Sequence, residues 1–166
     1  MSVKSEANTV NVIVEIPRDG HNKYEYDHEN HIIKLNRHLI VAMGYPAEYG
    51  FIPDTLAGDG DPLDALVLTE YPTFPGCLIE SKILGMCRMT DEHGEDFKLI
   101  CVPAYDPRWN GANDIGDVPT SVLDRIKHFF NVYKDLDEGR WMEVKDYVGR
   151  TAAIAELEAS RARFPV

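Results

Sequence analysis

No run of basic residues occurs anywhere in this 166-residue chain, which sets 17 Lys and Arg against 28 Asp and Glu for a formal net charge of -11. A chain of that sign repels a phosphate backbone unless its cations are concentrated on one face, so nucleic acid is not expected as a partner. Cysteine is scarce. Cys77, Cys87 and Cys101 are odd in number and lack C-x-x-C spacing, which speaks against a disulfide framework and a zinc knuckle and fits a reducing compartment. There is no stretch of about 18 uncharged apolar residues, and Met1 to Asn8 is polar with nothing suited to a signal peptide. The expectation is a cytoplasmic protein with no membrane partner. No Gly is followed by Lys, which excludes a P-loop, and H-E-x-x-H and a serine nucleophile elbow are missing too. Internal repeats, low-complexity segments and linker-like composition are also absent.

What is present is enough for a core. With 44% hydrophobic and 27% charged residues, the chain can bury about two thirds of its unfolded surface, and disorder is excluded as the main state. The expected organisation is a flexible tail over residues 1–9 and one domain over 10–166. Val10, Val12, Val14 and Ile16 alternate with Asn11, Ile13 and Glu15, the period of a strand, with Glu15 facing away from the valines. Lys23 and Glu25 alternate with Tyr24 and Tyr26, so a strand places the lysine and the glutamate side by side. Further strands are expected over 31–36, 65–69, 77–89, 97–102 and 141–148, and short strands broken by frequent turns suggest a small closed barrel. After Pro119, Val122, Ile126, Phe129 and Tyr133 recur as the stripe of an amphipathic helix, and residues 151–163 read as a terminal helix with Ile154 and Leu157 on its apolar side. The fold class is therefore α+β.

Chemistry concentrates in two acidic segments. Gly58-Asp59-Gly60-Asp61-Pro62-Leu63-Asp64 crowds three carboxylates where Gly and Pro forbid a helix, and Asp91-Glu92-His93-Gly94-Glu95-Asp96 adds four acids without a Lys or Arg. Such crowding is costly unless a cation sits there, and oxygen ligands without sulfur select Mg2+, Mn2+ or Ca2+. Either segment alone is also explained as a solvated turn; two together weaken that explanation. An EF-hand fits Asp59, Asp61 and Glu70 but fails at Leu63, and at Asp64 where Gly is needed.

The segment Asp-Gly-Asp-Pro-Leu-Asp-Ala at 59–65 resembles the signature of family I soluble inorganic pyrophosphatases, of the short prokaryotic type. The likeness continues in order through Val14-Glu15-Ile16-Pro17, Lys23-Tyr24-Glu25, Arg37, Tyr45-Pro46-Ala47-Glu48-Tyr49-Gly50, Met89-Thr90-Asp91-Glu92, Asp96-Phe97-Lys98, His128-Phe129-Phe130 and Tyr133-Lys134-Asp135-Leu136. The resemblance implies a five-stranded OB-like closed β-barrel flanked by two C-terminal helices, hydrolysis of pyrophosphate with several Mg2+ ions (Mn2+ being the alternative), and a homohexamer. Carried over by position, Asp59, Asp64, Asp91 and Asp96 become direct metal ligands, and Glu15 and Glu25 hold further metal. Asp61 becomes the group that orients or deprotonates the attacking water. Lys23, Arg37, Tyr49, Lys98, Tyr133 and Lys134 meet phosphate oxygens, with Tyr45 in the same pocket.

The residue types suit that chemistry. Pyrophosphate carries several negative charges, so attack by hydroxide must overcome strong repulsion, which metal ions and fixed cations reduce. Arg37 suits bidentate phosphate contact, and lysines act as point charges. Plainer readings exist: Tyr45 and Tyr49 as core residues with polar tips, Lys134 as a helix-end cation, and Lys23 with Glu25 as a surface pair. His28 and His93 lie beside acidic segments and either tune the site or are ordinary turn histidines. The competing class is a noncatalytic divalent-metal-binding β-barrel module with its cations scattered over the surface.

Overall fold

The structure, a computed structural model, describes residues 9–165. Its elements in chain order are β1 (Thr9–Ile16), β2 (Asn22–Asp27), β3 (Ile32–His38), β4 (Glu48–Phe51), β5 (Asp64–Val67), β6 (Leu78–Asp91), β7 (Gly94–Pro103), α1 (Thr120–Val132), β8 (Met142–Gly149) and α2 (Arg150–Arg163). Of the expected tail, residues 1–8 lie outside the described residues, and Thr9 already pairs with Lys82.

The architecture is α+β, a mostly β assembly with two helices. The pairings β1–β4, β4–β5, β5–β7, β7–β6 and β6–β1 close a hydrogen-bonded ring, in which only β5–β7 is parallel. β6 is 14 residues long and serves two neighbours on one side: its first residues, 78–82, pair with β1, and its last, 85–91, pair with β8. β2 and β3 form a separate hairpin.

Both faces of the central strands are covered. Leu66, Ile100, Val102 and Leu84 pack with Ile126, Phe129 and Phe130 of α1, while Ala65, Val67, Leu99, Cys101 and Ile83 pack with Ala153 and Leu157 of α2. Two-sided burial explains why residues 65–68 and 99–102 read as continuous apolar runs rather than alternating ones. The stripe on α1 buries as expected; each phenylalanine contributes roughly 2–3 kcal/mol of transfer free energy. On α2 the fully buried positions are Ala153, Leu157 and Ser160, and Ile154 is only half-buried.

Two local devices aim side chains toward one end of the ring. Val14 pairs with Gly50 and Ile16 with Tyr49, so Glu15 is the extra residue of a β-bulge, a feature that bends a strand and redirects its side chains. Glu48 is fully buried and accepts from the Thr73 amide and hydroxyl at 2.8 Å each and from the Thr69 hydroxyl at 3.3 Å. That satisfied carboxylate ties the start of β4 to the segment after β5 and so holds Tyr49 in place.

Candidate active site

A cavity of about 760 Å³ opens where β1, β2, β4, β5 and the β6–β7 turn converge with the end of α1. It is lined by all six carboxylates expected to bind metal (Glu15, Glu25, Asp59, Asp64, Asp91 and Asp96), by Asp61, and by Lys23, Tyr45, Tyr49, Lys98, Tyr133 and Lys134. His28 and His93 line it as well. Arg37 is the one expected site residue outside that lining. A second cavity, about 620 Å³, is bordered by Arg18, Glu70, Arg108, Trp109 and Arg125 and contains none of the expected residues.

Strand geometry explains the convergence. Asp64 opens β5 directly opposite Lys98 of β7, and Asp96 lies two residues before Lys98, hence on the same face. The Lys98 ammonium donates to Asp64 Oδ2 at 3.0 Å, to both oxygens of Asp96 at 3.1 Å and to the Tyr49 hydroxyl at 2.9 Å, and that hydroxyl donates to Asp64 Oδ2 at 2.8 Å. Only 1% of Lys98 is exposed. Burial works against its charge, but Asp64 and then Asp96 outweigh burial and hold the ammonium well above the ordinary lysine range. Asp64 itself is pushed up, by burial first and by Asp96, with Lys98 opposing. Burial keeps Tyr45 and Tyr49 well above the ordinary tyrosine range and pushes Tyr133 up to about 12, so all three are neutral hydroxyls at pH 7. Their rings pack on Phe129 and Phe130, with Tyr45 4.7 Å from Phe129 and Tyr133 stacked on Phe129 at 5.1 Å. The core reading of Tyr45 and the cavity reading are thus both met.

Lys134 follows the end of α1 and lies 3.5 Å from Glu92 and 3.7 Å from Asp91. Lys23 sits 3.3 Å from Glu25 on β2, the side-by-side arrangement that the alternation predicts. Arg37, which pairs with Lys23 across the hairpin, holds Asp137 through Nη1 at 2.6 Å. Its Nε and Nη2 are buried without a hydrogen-bond partner among the described residues. Nε and Nη2 form one edge of the guanidinium, two parallel donors spaced for a phosphate or carboxylate. Unsatisfied buried donors cost about 1–3 kcal/mol each, which an oxyanion would relieve once the groups that cover this edge moved aside.

The donor set suits a hard divalent ion: oxygen only, several carboxylates, one cavity. Among the described residues, no three Asp, Glu, His or Cys side chains stand close enough together to hold an ion in this arrangement. The cation on which Asp64 and Asp96 close is Lys98. Residues that sequence reasoning left without a role also line the site: Glu92, which receives Lys134, and Tyr26, Phe51, Glu95 and Arg140. Adjacency to Asp91 was a usable signal for Glu92; Tyr26, Phe51 and Arg140 carried none.

Glu15 yields a prediction. Burial, then Asp64 and Glu25, raise its carboxyl from 4.5 to about 7 against the opposing Tyr26 amide, which donates to it at 2.8 Å. A raised folded-state value means no penalty below about pH 4.5, where both states are protonated, and stability lost as pH climbs toward 7, because the unfolded chain ionises first. The loss is on the order of 3 kcal/mol. In chelator, Glu15→Gln is expected to melt above the parent at pH 8 and close to it at pH 4.5. An equal difference at both pH values would remove the argument.

Comparison with known proteins gives one answer throughout. A family model described as inorganic pyrophosphatase matches residues 12–165. The inorganic pyrophosphatase of Streptomyces coelicolor is 55% identical over 155 residues, covering 92% of this chain and 94% of that protein. That of Thermus thermophilus is 48% identical over 157 residues, covering 93% and 90%. Among solved structures, an inorganic pyrophosphatase from Coxiella burnetii superposes with a TM-score of 0.94 at 43% identity, covering 99% of this chain and all of that one. The crystal structure of the Thermus thermophilus protein gives 0.93 at 47% identity, covering 99% and 96%.

Proposed function

The chain belongs to the inorganic pyrophosphatase family and hydrolyses inorganic pyrophosphate to two phosphates, and from that premise we propose how its own residues divide the work. The reaction is metal-dependent in this family; the ion proposed is Mg2+, several per site, with Mn2+ as the alternative. Asp59, Asp64, Asp91 and Asp96 would hold it directly, and Glu15 and Glu25 would hold further ions directly or through water. When bound, the divalent ions neutralise the substrate and acidify the attacking water. Asp61 takes that water's proton. Lys23, Lys98 and Lys134 offset the charge of the departing phosphate, Arg37 grips it through the Nε–Nη2 edge, and Tyr45, Tyr49 and Tyr133 donate neutral hydroxyls.

The observation that carries this reading is the single cavity in which acids and cations occur together. A noncatalytic metal-binding module has no need of buried lysines facing its carboxylates. The same proposal takes the closed ring as an OB-like five-stranded barrel, residues 10–166 as one domain, the cytoplasm as the location and a homohexamer as the assembly. The exposed side chains of Ile32, Leu35, Tyr71 and Phe74 supply apolar surface for such an assembly, which light scattering would measure. Neither nucleic acid nor membrane is included as a partner.

The test is phosphate release from pyrophosphate with Mg2+ and with excess chelator; undiminished turnover in chelator would defeat the metal-dependent reading. A thermal melt provides the binding readout. Mg2+ at a hundredfold excess over Kd should stabilise by about 2.7 kcal/mol per site, raising the midpoint by roughly 5–10 °C for a chain of this size. A shift no larger than that in matched monovalent salt would mean the carboxylates do not form one site.

A further inference from the structure

The two roles assigned around Lys98 are incompatible in the arrangement described. An ammonium has three donors, and those of Lys98 go to Asp64 at 3.0 Å, to Asp96 at 3.1 Å and to the Tyr49 hydroxyl at 2.9 Å. The rings of Tyr49 and Phe130, 4.9 and 5.5 Å from Nζ, close its remaining sides. No donor is left for a phosphate oxygen. Asp64 and Asp96, for their part, already share a cation, and an ion of +2 charge entering between them would be repelled by the ammonium at close range.

We infer that Lys98 is the exchangeable counter-cation of the metal site: a divalent ion taken up by Asp64 and Asp96 displaces its ammonium, and the displaced ammonium is the one that meets the phosphate. The inference rests on the metal reading above and adds an order to it, metal first and phosphate grip second. Without metal, Lys98 neutralises two part-buried carboxylates that would otherwise repel each other. With metal, those carboxylates have a stronger partner, and the freed ammonium is available to the negative charge of the substrate. Lys23 and Lys134 are held less closely, at 3.3 Å from Glu25 and at 3.5 and 3.7 Å from Glu92 and Asp91, against 3.0 and 3.1 Å for Lys98. Metal and phosphate affinity become coupled through one side chain, and linkage makes the coupling reciprocal.

The experiment is isothermal titration of Mg2+ into the protein without substrate, for the parent and for Lys98→Gln, together with nitrogen-15 detection of the Lys98 ammonium in the unaltered protein. Removing the competing cation is expected to tighten Mg2+ binding about tenfold or more. In the parent, a buried, fully hydrogen-bonded ammonium should give a protected signal in chelator, and that signal should be lost or shifted at saturating Mg2+ but not in matched sodium. If Lys98→Gln does not fold, the ammonium signal alone decides. Unchanged or weaker Mg2+ binding by a folded Lys98→Gln, or an ammonium signal that persists at Mg2+ saturation, would overturn the exchange. Absence of any Mg2+ binding heat in the parent would instead overturn the metal reading on which it rests.

Discussion

Asp61→Asn is expected to lower the maximal rate of phosphate release about 10²- to 10⁴-fold at saturating Mg2+, the range for losing a general base. The loop that carries it is pinned: the Asp61 amide donates to Asp59 Oδ1 at 3.0 Å and its carbonyl accepts from the Ala57 amide at 2.7 Å. Among the described residues nothing donates to its carboxylate, so its lone pairs are open to a water in the cavity. Asparagine keeps the shape and the backbone bonds but cannot take a proton. Asp64→Asn is the contrasting case, because it removes an anionic oxygen from the proposed ion and should raise the Mg2+ needed for half-maximal rate. Steady-state assays across pH and Mg2+ concentration separate the two. A parent-like rate for Asp61→Asn at every pH would remove its assigned role.

Gly50→Ala should destabilise the fold more than alanine at any other glycine of this chain. A Cβ at Gly50 would lie 2.1 Å from the Ile13 carbonyl oxygen, 2.8 Å from its carbon and 3.0 Å from Val14 Cα. All three are backbone atoms of the strand to which β4 is paired, so no rotamer change relieves the overlap. Separating β1 from β4 opens the ring and releases Glu15 and Tyr49 together. The expected cost exceeds about 4 kcal/mol, seen as a melting midpoint lower by at least roughly 10 °C or as failure to accumulate folded protein. Gly116→Ala, where a Cβ meets nothing within 4 Å, is the matched control. Equal melting of the two variants would mean the strands can move apart freely.

How much of this was readable beforehand depends on what each segment displays. β1 showed its alternation, and α1 its stripe, because one face of each meets the core, whereas β2 alternates in residue type without burying any of its side chains fully. β4 was not recognised: Glu48–Phe51 spans four residues, all buried but Tyr49, too short for a period, and its buried glutamate masks the apolar signal. The order of strands around the ring was equally hidden, since periodicity tells which face is buried but not which neighbour lies alongside. That Asp64 faces Lys98 follows from the parallel β5–β7 register and from nothing local. For the site, the acidic segments announced themselves by crowding and the family likeness supplied the cations. Asp137, which holds Arg37 at 2.6 Å, and the engagement of Lys98 by Asp64 and Asp96 depend on distances between remote segments.

The double service of β1 bears on how fast the chain can find its shape. Its first half waits for β6, the pairing of Thr9 with Lys82 closing a loop of about seventy residues, and its second half waits for β4. β6 in turn waits for β8, with Gly85 against Gly149. Contacts so distant along the chain must each meet loop-closure entropy before they return any burial. Folding should therefore fall on the slow side for a domain of this length, milliseconds to seconds rather than microseconds. Emerging from the ribosome, β1 would remain unpaired along one edge until about half of the molecule has been made.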